Sequence, residues 1–114
     1  MNEYVFLVRF GTQQTLTPEQ QKQNTEAWGK LIEQWTQAGI FAGSNLLTKP
    51  GFTISGSNRT IDQGFIADAQ SRVVSAIRVV ADTLEAAVNL AKACPTLDFG
   101  GTVEVREVQP SPFR

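Results

Sequence analysis

No histidine occurs anywhere in this chain, so proton transfer near neutral pH falls to carboxylates and one phenol: Asp62, Asp68, Glu104 and Tyr4. Asp62 stands three residues before Phe65 in a glycine-containing turn, where a carboxylate can face a cleft as a candidate catalytic group. The same residue in an Asx turn bonds only to the backbone two places on. Glu104 and Arg106 lie two residues apart in an alternating Val/charged run. They therefore share one side of a strand and can either hold a polar or anionic ligand or form an ion pair. Arg9 and Arg78 fall within apolar runs, where burying an unpaired guanidinium is costly. They must emerge at strand ends, find Glu104 or Asp62, or meet a ligand. Trp28 and Trp35, at helical spacing, can form core or line a pocket. The candidate ligand-binding set is Trp35, Asp62, Phe65, Arg78, Glu104 and Arg106.

Other chemistries are poorly provided for. Cys94 is the single cysteine, so an internal disulfide is impossible and a Cys/His zinc site lacks its histidines. It also sits at a helix carboxyl end, where the helix dipole opposes a thiolate, and helix-end packing is its expected role. Gly51 to Gly64 lacks the Walker spacing and its lysine. No metal and no cofactor are expected. The 10 basic and 11 acidic residues leave a net charge of -1, with no global positive field for a nucleic-acid partner. No apolar run has the length to span a bilayer, and the start MNEYVFLVRF reads as a strand and not a leader. A cytoplasmic protein without a membrane partner is expected.

The elements that must position these residues follow from periodicity. Tyr4 to Phe10 reads as a strand covered on both faces. Thr17-Pro18-Glu19-Gln20 is a capping box that starts a helix at Pro18. Its buried stripe is Trp28, Leu31, Ile32 and Trp35, and Gly39 ends it. Apolar pieces at Ile40 to Leu47 and Phe52 to Ile54, among Gly43, Pro50, Gly51 and Gly56, predict two short strands and turns, with 51–64 a hairpin or loop. Arg72 to Val80 predicts a β-branched strand, and Asp82 is the expected cap of the next helix. Leu84, Ala87, Val88 and Ala91 are that helix's expected buried stripe, and Pro95 stops it. A last strand spans Thr102 to Val108.

With 114 residues and 41% hydrophobic side chains, the chain forms one domain over 1–109, followed by a tail, 110–114. The element order predicts an α+β, ferredoxin-like sandwich: an antiparallel sheet with two main helices on one face. Val5, Leu7, Val74, Ala76, Val103 and Val105 are expected on faces that the helices leave open. An exposed apolar sheet face marks an interface, so a homodimer stacked sheet on sheet is expected.

From Ile61 to Val108 the chain resembles the YCII-related proteins, in the branch named for an Asp-Gly-Pro-Phe motif. Asp62, Phe65, Val80, Glu85, Ala86, Cys94, Pro95, Gly100, Gly101, Glu104, Val105 and Arg106 carry the resemblance. Trp28 to Leu47 also fits. The resemblance implies a dimeric α/β barrel. The chain departs from the motif in reading Asp62-Gln63-Gly64-Phe65, and from the histidine–aspartate pair proposed for other members in having no histidine. Two functional classes follow. One is a protein or enzyme that binds a small polar or anionic molecule between the first helix, the central strands and the partner subunit. The other is a non-catalytic dimerisation or accessory module. A cofactor-free or haem-degrading oxygenase is a third reading by analogy of fold alone.

Overall fold

In the computed structural model, which describes residues 1–12, 15–67 and 70–110, alternation along the first strand decides where the core lies. Asp68 and the tail residues 111–114 fall outside the described residues. Strand β1, Asn2–Gly11, turns Tyr4, Phe6 and Val8 into the core at 0–1% exposure, while Val5, Leu7 and Arg9 on its other face are only half-buried. Helix α1, Pro18–Gln37, begins at the expected capping box, with Thr17 Oγ1 accepting from the Gln20 amide and the Gln20 side chain accepting from the Thr17 amide. It ends at Gly39, whose φ of 73° suits glycine. Trp35 packs edge-on against Phe6, with ring centroids 6.0 Å apart.

Strands β2 (Phe41–Leu46), β3 (Phe52–Ser55), β4 (Thr60–Gln63) and β5 (Ser71–Ala81) follow, then helix α2 (Leu84–Ala91), a 3-10 helix (Pro95–Phe99) and β6 (Thr102–Glu107). The main sheet has the order β2-β5-β1-β6, with every pairing antiparallel. This order and connectivity fit the expected α+β, ferredoxin-like plan. The separate β3–β4 hairpin is an insertion between β2 and β5. Ile54 opposite Ile61, together with Phe52, gives that hairpin an apolar side that is 64–71% exposed. It stands out as an arm.

Several sequence expectations are corrected by register. Val103 and Val105 pair with Val8 and Phe6 and pack on the helix side, because directly paired residues share a face. The open face instead carries Glu104 opposite Leu7 and Arg106 opposite Val5. Val74 also belongs to the helix side, where a β-bulge between Val8 and Arg9 shifts the register of β5. The cap of α2 is Thr83, not Asp82: its Oγ1 accepts from the Ala86 amide at 3.1 Å, since the strand runs on to Ala81 and leaves Asp82 one residue early. Ala87 and Ala91 form the buried side of α2, and Leu84 and Val88 are exposed at 50% and 39%. After Cys94 the chain does not pass directly into the strand. Pro95 starts the 3-10 helix, which Gly100 closes in the left-handed region at φ 84°.

Candidate functional site

The sheet carries two sets of candidate side chains, one on each face. On the open face, the Glu104 carboxylate lies between two guanidinium groups, 3.1 Å from Arg9 Nη2 and 3.3 Å from Arg106 Nη1. Arg9 has thus found Glu104, one of the outcomes its position in an apolar run demanded. Arg78 lies on the same face over Gly43, with Nη2 3.4 Å from the Ala42 carbonyl oxygen. Gly43 has φ 139°, which favours glycine, and the Arg78 guanidinium occupies the space a Cβ would take.

On the helix face a cleft of about 360 Å³ opens between α1 and the sheet. Its wall is Val8 and Phe10 of β1, Trp28 and Ile32 of α1, and Val74 and Ile77 of β5. Thr96 of the 3-10 helix also borders it; its Oγ1 accepts a 2.9 Å hydrogen bond from Trp28 Nε1, tying α1 to the turn after the Cys-Pro step. Gly101 permits this approach. A Cβ there would collide with Thr96 Cγ2 and lie 2.9 Å from the Arg9 carbonyl oxygen.

A β-bulge decides which charge serves the cleft. Val8 pairs with Ser75, but Arg9 pairs with Val73, so Val74 is an extra residue in β5. Beyond it the alternation flips. Arg72 pairs with Phe10 and joins the cleft, whereas unbroken alternation would place it on the open face with Arg78. The Arg72 guanidinium carbon lies 5.7 Å from the Phe65 ring centroid, and its Nη1 lies 3.4 Å from the Gly11 carbonyl oxygen. Arg72 is the one charged side chain lining the cleft among the described residues. Asn24 of α1 also lines it, and its buried Oδ1 has no hydrogen-bond partner among the described residues.

The sequence-derived candidates are therefore divided. Glu104, Arg106 and Arg78 share the open face, and Phe65 stands against Arg72 but does not itself line the cleft. Asp62 is exposed on the arm, paired with Thr53. Trp35 is 5% exposed in the core, and the indole that lines the cleft is Trp28. Sequence reasoning missed Arg72 because nothing in the run SRVVSAIRVV marks the bulge. It also missed Asn24, for which a signal existed: a polar residue four places before Trp28, in line with the buried stripe.

Cys94 is 2% exposed, and burial pushes its thiol from 9.0 up to about 12, consistent with packing and not nucleophilic chemistry. Among the described residues no cluster of His, Cys, Asp and Glu could hold a metal ion, and no helix is long and apolar enough to cross a membrane. No protein-family model matches the chain, and no curated protein matches it.

Proposed function

We propose that this protein is a homodimeric small-molecule-binding protein of YCII-related type whose ligand occupies the cleft between α1 and the sheet. The observation that carries this reading is the bulge at Val74, which turns a single cation, Arg72, into an otherwise largely apolar cleft. Bulges commonly re-aim side chains beside functional sites. An accessory module would need neither the cavity nor the charge. The sequence predicts a pocket between the first helix, the central strands and the partner subunit; a cleft between α1 and the sheet supports that reading, although most of its lining residues differ from those expected.

The dimeric α/β barrel forms by stacking the open faces, where Val5, Leu7, Ala76 and Val80 are only half-buried. β1 and β5 run 10 and 11 residues and β2 and β6 run 6 each, so at strand spacings of about 4.8 Å the face offers roughly 500 Å², short of the ~800 Å² per partner of a typical stable interface. The arm, with Phe52, Ile54 and Ile61 exposed, supplies further apolar area to the same partner. Sedimentation at micromolar concentration is expected to show a dimer, with Leu7→Glu and an arm deletion both weakening it. A monomeric parent protein would overturn this part.

Ligand binding is tested by a thermal-shift screen of metabolite-sized compounds on the parent and on Ser75→Leu, which fills the cleft from a buried strand position. A ligand at 100 times its Kd stabilises by about 2.7 kcal/mol, roughly 11 °C for a chain of this length. Hits of that kind on the parent that vanish in Ser75→Leu are expected. An empty screen, or hits indifferent to the filling, would leave the accessory module as the better reading.

A further inference from the structure

We infer that the cleft selects an aromatic or heteroaromatic carboxylic acid, its ring against the apolar walls and its carboxylate on Arg72. The inference rests on the small-molecule reading above and sharpens it from any polar or anionic molecule to one class.

Size comes first. At the interior packing density of about 0.75, the cavity holds on the order of 270 Å³ of atoms, roughly fifteen to twenty non-hydrogen atoms. That is a body of one or two rings. Shape follows from the walls. The space lies between a helix and a sheet, bounded by Trp28 and Ile32 on one side and by Val8, Val74 and Ile77 on the other. Thr25, Ser44, Asn45 and Ser75 also line the space, but against these five apolar walls a ring packs best, whereas a hydrated sugar or an aliphatic dianion would leave polar groups there without partners.

Polarity then fixes the charged end. Arg72 presents a fork of N–H donors suited to a carboxylate, and the cleft holds no carboxylate of its own among the described residues, so an anion is favoured over a cation. Phe65 packs on that guanidinium and helps to hold it in place.

Four probes test this by titration calorimetry, with tryptophan fluorescence as a second readout: 4-hydroxyphenylacetate, phenylacetate, 4-methylphenol and glutarate. Both aryl acids are expected to bind tighter than 4-methylphenol and glutarate. Arg72→Gln weakens both aryl acids on the order of 10-fold to 100-fold and leaves 4-methylphenol unchanged. Circular dichroism and thermal melts confirm that the variant folds. Glutarate binding as well as the aryl acids, or a loss that does not follow this pattern, overturns the ligand class. If none of the four binds but the wider screen yields a hit of another class that Ser75→Leu abolishes, the class fails and the small-molecule reading stands. If no cleft-dependent hit exists, both fail.

Discussion

The hydrogen bond from Trp28 to Thr96 links the long helix to the 3-10 turn, and the sharpest test of the fold around the cleft is to remove it from both sides. Thr96 is 1% exposed and its Oγ1 lies 2.9 Å from Trp28 Nε1. Thr96→Val keeps the shape, removes the acceptor and strands the indole N–H, at a cost of about 1–2 kcal/mol. Trp28→Phe removes the donor together with part of the ring and costs a similar amount or more. In a double-mutant cycle the second change no longer loses a hydrogen bond, so the coupling is expected at about 1 kcal/mol. Unfolding entropy for a chain of 114 residues is about 0.24 kcal/mol per kelvin. Each single variant should therefore melt roughly 4–8 °C below the parent. Urea unfolding at 25 °C and one fixed protein concentration gives the four free energies, with an unchanged m-value as the check that the unfolded states compare. Additivity within about 0.3 kcal/mol would refute the reasoning, because the two side chains would then be near each other without depending on each other.

Two further outcomes follow from the same region. Gly101→Ala is expected to destabilise by about 1–3 kcal/mol, since the new Cβ meets Thr96 and the Arg9 carbonyl, whereas Gly51→Ala, with nothing within 4 Å, serves as the neutral control. Equal melting temperatures for the two would contradict the close approach. Cys94 should give stability a pH dependence at the alkaline end. The folded state holds the thiol proton up to about 12, while the unfolded chain releases it near 9.0, so this contribution is complete below pH 9 and declines as pH rises from there. The stability difference between the parent and Cys94→Ala should shrink between pH 8.5 and pH 10.5, and a constant difference would show that burial does not hold the proton.

Much of the fold was legible. The capping box at Thr17 to Gln20 and the glycine at 39 mark the ends of α1, because backbone groups at helix ends must be satisfied by nearby residues. The β-branched run before Ala81, the apolar run of β1 and the alternation in β6 give the strands. The hairpin reading of 51–64 also holds, with β3 and β4 pairing around Gly56 and Arg59. The cap of α2 missed by one residue because Asp82 and Thr83 are both good caps, and only the length of β5 chooses between them.

What the sequence determined by itself is local: which segments become helices and strands, that no histidine serves the site, and that Glu104 and Arg106 share a strand face. Tertiary structure alone decided which face that is, and which arginine enters the cleft. Antiparallel pairing set Glu104 against Leu7 and Val105 against Phe6, and one extra residue at Val74 moved Arg72 to the side opposite Arg78. The physical reason is the two-residue period of a strand. A shift of one residue leaves every local preference intact and reverses where each side chain points.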